Sequence, residues 1–175
     1  MEQIREGSLL IREAVPGDEG IILEMIKELA SYEKLLDRVT ATEEILRDSL
    51  FKRKKAQALL AEYEGVPAGY ALYFYNFSTF QGKPGVYLED LYVRPRFRKL
   101  GIGRRLLSAL AQLAVEEDCG RLEWICLDWN EPSIRLYRRL GAKPVDGWTV
   151  YREEGEALTN LARLGPADAK MDTAR

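Results

Sequence analysis

The chain has 175 residues, 26 Lys plus Arg against 28 Asp plus Glu, no His, two Cys and 46 % hydrophobic residues. That length and apolar content suit one folded domain rather than a disordered chain, and a formal charge of -2 gives no general electrostatic reason to expect a nucleic-acid partner. Without His, the serine triad, the Cys–His pair and histidine-based zinc sites are excluded, and Cys119 and Cys126 are too few for a disulfide framework, which points to a reduced, intracellular setting.

In chain order, Met1 to Gly7 is charged and shows no apolar leader, and no apolar run reaches the ~18 residues of a membrane span, so a cytoplasmic protein without a membrane partner is expected. Leu9 to Arg12 reads as a strand. Pro16-Gly17-Asp18 then opens an amphipathic helix with Ile21, Ile22, Met25, Ile26 and Leu29 on one side and Glu24, Lys27 and Glu28 on the other. Thr40, with Glu43 three positions on, has capping-box spacing for a second helix that carries Ile45, Leu46, Ser49, Leu50 and Phe51. The basic run Lys52 to Lys55 closes it and reads as a solvated helix end or, alternatively, as a lure for an anionic ligand. Gln57 to Tyr63, a turn at Glu64-Gly65 and Gly69 to Phe77 have the pattern of a hairpin, whose aromatic second arm suits either helix packing or the wall of a groove.

After the loop Ser78 to Gly85, a strand runs from Val86 to Val93 and Pro95 ends it. A helix with the apolar stripe Leu106, Leu107, Leu110, Leu113 and Ala114 follows, closed by Cys119-Gly120. A strand at Arg121 to Asp128, a short helix at Pro132 to Leu140, a final strand at Trp148 to Arg152 and a helix at Glu156 to Leu161 complete the order. This alternation predicts an α/β, more closely α+β, mixed sheet flanked by helices, in one domain over 1–165 with a tail at 166–175.

Chemistry concentrates where the strand ending at Val93 passes through Arg94, Arg96, Arg98 and Lys99 to Gly101-Ile102-Gly103 and directly into a helix. Bare amides at a helix start, the helix dipole and nearby Arg98, Lys99 and Arg104 suit a diphosphate. No Gly-Lys-Ser/Thr follows, so this is not a P-loop, and the long basic loop is not a dinucleotide fingerprint. Alone, Gly-x-Gly before a helix also reads as simple capping. Glu89 and Asp90 interrupt an apolar strand; successive strand residues face opposite sides, so the two are expected to do different jobs, one of them accepting a proton or binding a cation. Asn130, Ser133, Pro132 and Gly141 describe a well-capped short helix, on which Tyr137 shares a face with Ser133 and reads as a packing residue or as a group at the mouth of a strand split.

Arg98-Lys99-Leu100-Gly101-Ile102-Gly103 resembles the pyrophosphate loop of the GNAT superfamily of acyl-CoA-dependent N-acetyltransferases. Ile26 to Glu33, Tyr87 to Asp90, and Trp129 to Ile134 with Tyr137 and Gly141-Ala142 resemble its spermidine/spermine branch, which includes the diamine and thialysine enzymes; the likeness runs from about Leu9 to Leu161. The resemblance implies a central mixed, mostly antiparallel sheet with a strand splay, acetyl-CoA as co-substrate, no metal, and a homodimer. It implies that Arg98, Gly101 and Gly103 hold pyrophosphate with Lys99, Leu100, Ile102 and Arg104 alongside, and that Leu91, Tyr92 and Val93 offer backbone to the thioester arm. Asn130 and Ser133 would contact or order the pantetheine side. Tyr137 would be general acid toward the CoA sulfur, Glu89 would relay the amine's proton, and Glu33 and Asp90 would line the amine side.

A small cationic diamine or polyamine is the leading acceptor expectation. A lysine-like amino acid such as thialysine, an aminoglycoside, or a non-catalytic acyl-CoA-binding role are the alternatives. Two departures from the polyamine enzymes, the segment Phe74 to Gly85 and the single acid in Lys34 to Asp37, weaken recognition of a second ammonium. Cys126 lacks an orienting base, which argues against a covalent intermediate.

Overall fold

Six strands form one sheet in sequence order: β1 (Ile4–Glu6), β2 (Leu9–Glu13), β3 (Gln57–Tyr63), β4 (Val66–Ser78), β5 (Lys83–Val93) and β6 (Leu122–Trp124). β1 to β5 pair antiparallel and β6 joins β5 in parallel, so the fold is the mixed, mostly antiparallel sheet that was expected. The helices are α1 (Glu19–Tyr32), α2 (Glu43–Arg47), α3 (Ile102–Glu116), α4 (Glu131–Arg139) and α5 (Gly155–Ala162). The computed structural model describes residues 3–164; the expected tail at 166–175 lies outside them. The chain divides into two compact units between Leu136 and Tyr137.

In the first unit the hairpin turn falls at Glu64-Gly65 as expected, both with positive φ. Strand alternation sends Ala58, Leu60, Tyr70 and Tyr92 to one face, where they join Ile22, Leu23 and Met25 of α1 and Leu46 of α2. Leu59, Ala61, Ala71 and Leu88 take the other face, which the buried stripe Leu106, Leu110 and Leu113 of α3 covers. Truncating one of these wholly buried leucines to Ala would cost about 2–5 kcal/mol.

Several local expectations are corrected. The α2 cap is Thr42, whose Oγ1 accepts from the Ile45 amide at 3.2 Å, and not Thr40; Thr42 directly precedes the helix. α2 runs on into a widened turn over Asp48–Lys52. α3 stops with Asp118 in the left-handed region and the Cys119 amide bonded to the Ala114 carbonyl, one residue before the Cys119-Gly120 stop. The strand expected at 121–128 is only Leu122–Trp124, which pairs with Val86 to Leu88 and leaves β5 beyond them. β1 had no signal in the sequence beyond a short polar run. Among the described residues no helix is long and apolar enough to cross a membrane.

In the second unit, α4 ends at Gly141 with φ 87, as expected, and the Ala142 amide bonds the Tyr137 carbonyl. Residues 148–152 are not a strand: they join no ladder among the described residues, and Trp148, Val150 and Tyr151 are exposed.

Two arginines pin α1. Arg12 of β2 meets Asp18 at the helix start at 2.7 Å and Glu62 of β3 at 2.9 Å. Arg94, after β5, meets Glu24 at 2.7 Å and Glu28 at 2.8 Å and donates to the Pro67 carbonyl. Burial opposes the Asp18 charge, yet the hydrogen bonds from Arg12 and the Val15 amide, with the Arg12 charge, hold its carboxyl below the usual range. Stability from Asp18 is therefore present above the ordinary value near about 3.9 and lost as pH falls through the lower folded value. Asp18→Asn is expected to lower stability by about 1–3 kcal/mol at neutral pH and progressively less in acid, measured by denaturant unfolding at both pH values.

Candidate active site

Two irregularities coincide on β5. Leu72 pairs with Asp90 but its neighbour Tyr73 pairs with Leu88, so Glu89 is the extra residue of a bulge. The alternation of the strand breaks at this point: the slip carries Asp90 to the face of Tyr70 and Tyr92, opposite Leu88, while Glu89 is exposed. On the other edge, β6 accompanies β5 only from Val86 to Leu88. Among the described residues that edge has no strand partner from Glu89 to Val93, and the splay opens there.

An acidic cluster lies beside this opening. The Tyr70 hydroxyl donates to Asp90 Oδ2 at 2.8 Å. Burial pushes the Asp90 carboxyl up, against the lowering effect of that hydrogen bond. Burial, and then the charge of Asp90, push up Glu33 at the end of α1. Burial also raises the Cys126 thiol, with Asp128 and Glu33 adding to it. Residues from α1, β4, β5 and the segment after β6 thus share one negative field, suited to an ammonium. Beside it, Tyr32 donates to Asn130 Oδ1 at 3.3 Å and its ring lies 5.8 Å from that of Trp129. Asn130, expected as a cap, also accepts the Ser133 and Ile134 amides on its backbone carbonyl. Tyr32 and Tyr70 were not among the expected site residues; Tyr32 sat inside a segment already singled out, whereas Tyr70 looked like any ring of an aromatic strand.

At the start of α3, Lys99 and Gly101 both have left-handed backbones, φ 68 and φ 79. The Arg105 amide makes the first helical bond, to the Gly101 carbonyl, so the amides of Ile102, Gly103 and Arg104 precede the helical ladder. The first turn holds no acidic residue. A Cβ at Gly103 would meet only Val93 Cγ2, at an ordinary 3.7 Å; the fold itself does not require glycine there, and the bare turn leaves room for a ligand. These features fit a diphosphate.

Arg98, Lys99 and Arg104 are exposed beside this turn, with Arg98 Nε bonded to the Val93 carbonyl at 3.1 Å and its guanidinium 5.2 Å from the Tyr32 ring centroid. Arg94 is withdrawn from the basic loop by Glu24 and Glu28. Tyr92 and Ile102 bury their side chains and Leu91 and Val93 are half-buried, so these residues offer a ligand mainly backbone, while Leu100 is exposed. A groove of about 870 Å³ follows α1 past Lys27, Glu28 and Ser31 to Tyr92 and Arg96. Glu33, Glu89, Asp90, Asn130 and Ser133 belong to the first unit; Tyr137, half-buried on α4, belongs to the second.

A splayed β5 edge leading through a basic loop to a bare helix start defines the acyl-CoA transferase class of site, and residues 23–142 match the acetyltransferase (GNAT) family. The chain belongs to this family and is an acetyl-CoA-dependent N-acetyltransferase. It is 42 % identical over 167 residues to the thialysine N-epsilon-acetyltransferase of Sus scrofa, covering 89 % of this chain and 98 % of that one. It is 30 % identical to the L-ornithine N5-acetyltransferase of Arabidopsis thaliana, with 88 % of each chain covered. Among solved structures, an integron cassette protein from the mobile metagenome of V. cholerae superposes with a TM-score of 0.76 at 26 % identity, covering 91 % of this chain and 100 % of that one. These relatives set the protein in the thialysine and diamine branch.

Because the folded pKa of Asp90 is raised, its ionisation opposes folding once pH exceeds the unfolded value, and fully so above the folded one. Asp90→Asn, whose amide oxygen still accepts from Tyr70, is expected to raise Tm by about 2–4 °C in mild alkali and to leave it unchanged in acid, in a thermal melt at each pH.

Proposed function

We propose that the protein transfers the acetyl group of acetyl-CoA directly to the side-chain amine of a small amino acid of the lysine or thialysine type. The observation that carries this reading is the near full-length likeness to a thialysine acetyltransferase, with the Glu33 and Asp90 carboxylates supplying the attraction for the ammonium. It displaces the diamine or polyamine expected first from the sequence. That acceptor stays as the second reading, because two carboxylates in one field also suit a second cation.

In this reading the amides of the Gly101–Arg104 turn, with Arg98 and Lys99, hold the diphosphate of the co-substrate. The open edge at Leu91, Tyr92 and Val93 guides its arm, and Asn130 and Ser133 bound the far side. An amine with a reference pKa near about 10.4 must first lose a proton. Glu89, exposed at the bulge, receives it through water. The neutral amine attacks the thioester carbonyl, a β5 amide steadies the developing oxyanion, and Tyr137 gives a proton to the departing sulfur.

We read residues 1–165 as one catalytic domain. A homodimer is part of the proposal, supported by the exposed apolar side chains of Trp148, Val150, Tyr151, Leu158 and Leu161.

Initial-rate thiol release with thialysine, lysine, ornithine, short diamines, spermidine and an aminoglycoside tests the acceptor. Thialysine is expected to give a kcat/KM at least about tenfold above spermidine, a difference of 1.4 kcal/mol in transition-state binding; the reverse order moves the assignment to polyamines. In single turnover, Tyr137→Phe is expected to slow the chemical step by about 10²-fold or more, in the range of general acid catalysis. An unchanged rate removes Tyr137 from the mechanism.

A further inference from the structure

Tyr70 has no part in the steps above, yet its side chain is wholly buried and its only proton goes to Asp90 Oδ2. Cross-strand pairing sets Tyr70 opposite Tyr92, and the bulge at Glu89 is what brings Asp90 into phase with both. The groups around Asp90 are Glu33 from α1, Tyr70 from β4, Glu89 and Tyr92 on its own strand, and, through Glu33, Cys126 and Asp128 beyond β6. Each is neutral or negative, and the cations that reach this group, Arg98 at 5.9 Å from the Tyr92 ring centroid and Arg94, act on Tyr92 rather than on Asp90. A half-buried carboxylate in such company sheds its charge by taking up a proton unless a donor favours the anion. Tyr70 is that donor, and burial with the neighbouring negative charges keeps its phenol protonated far above neutral pH. Among the described residues Tyr70 is the donor to Asp90; its bond occupies Oδ2 and leaves Oδ1 for a second donor.

We propose that Tyr70 is a positioning residue for amine recognition: its buried hydroxyl orients the Asp90 carboxylate and preserves its charge, so that the incoming ammonium meets an anion with one oxygen free. This rests on the reading of Glu33 and Asp90 as the acceptor subsite. Tyr70→Phe keeps the ring in the core and removes only the hydroxyl. Without that bond the Asp90 carboxyl titrates higher, so the acidic limb of kcat/KM for the amine moves to higher pH.

The experiment compares the full-length wild type, Tyr70→Phe, Asp90→Asn and the double variant, with thialysine as probe, from mildly acidic to alkaline pH. Tyr70→Phe is expected to raise the thialysine KM about 10–100-fold in mild acid, the scale of one lost hydrogen bond to a charged group. The difference is expected to fade in alkali, with kcat and the acetyl-CoA KM unchanged. Asp90→Asn is expected to raise the amine KM at every pH, and the double variant to be no worse. An acidic limb that coincides with wild type, or a Tyr70→Phe defect equal at all pH values, overturns the role of Tyr70. Absence of turnover with every amine in the wild type overturns the acceptor reading instead, so the two failures are distinct. A second readout needs no substitution: the ring-carbon NMR signal of Tyr70 is expected to follow the Asp90 titration and to move to lower pH when thialysine is added. A signal that stays silent through that titration also overturns the proposal.

Discussion

One extra residue in β5 is the constraint on which the site depends. The slip at Glu89 re-phases everything after it, so that Leu88 keeps its place in the core under α3 while Asp90 and Tyr92 turn to the α1 face. Because β6 also leaves β5 at Leu88, the re-phased residues lie along an edge open to a ligand rather than against another strand. A bulge bends and twists its strand and re-aims side chains. Here it gathers two adjacent acids, an open ladder edge and a buried phenol within a few residues.

The remaining elements hold that edge in register with its surroundings. α1 delivers Tyr32 and Glu33 from its last turn, and its placement is anchored at the start by Arg12 and Asp18 and along its length by Arg94 with Glu24 and Glu28. Arg94 exposes 11 % of its side chain; removal of either kind of partner would strand a charge, which is why such pairs fix position more than they add stability. Tyr32 in turn reaches Asn130 ahead of α4, so the two walls of the opening are joined by a side-chain contact rather than by the sheet. Carboxylates kept at raised pKa in this setting work against folding at neutral pH, a cost that the aliphatic layers under α1 and α3 offset.

Much of this was legible in the residue order. α1 and α3 announce themselves by the 3.6-residue recurrence of Ile22 and Met25 and of Leu106, Leu110 and Leu113, and β3 and β4 by the Glu64-Gly65 turn. The bare Gly101-Ile102-Gly103 turn and its basic flank marked the candidate diphosphate seat. What stayed hidden depends on partners distant in sequence. Nothing in Leu88-Glu89-Asp90-Leu91 distinguishes a bulge from a plain strand, since the slip is defined only against Leu72 and Tyr73. Residues 125–128 and 148–152 have strand-like composition but join no ladder among the described residues, and Arg94 resembled its basic neighbours until α1 was packed against it.

The same negative field has a consequence for sulfur. Cys126, half-buried just beyond β6, has its thiol held protonated by burial, Asp128 and Glu33. Attack on peroxides and alkylating agents proceeds through the thiolate, which Asp128 and Glu33 disfavour at this sulfur. The field that raises this thiol lowers its thiolate fraction and with it the reactivity of the sulfur, although the side chain is only half-buried.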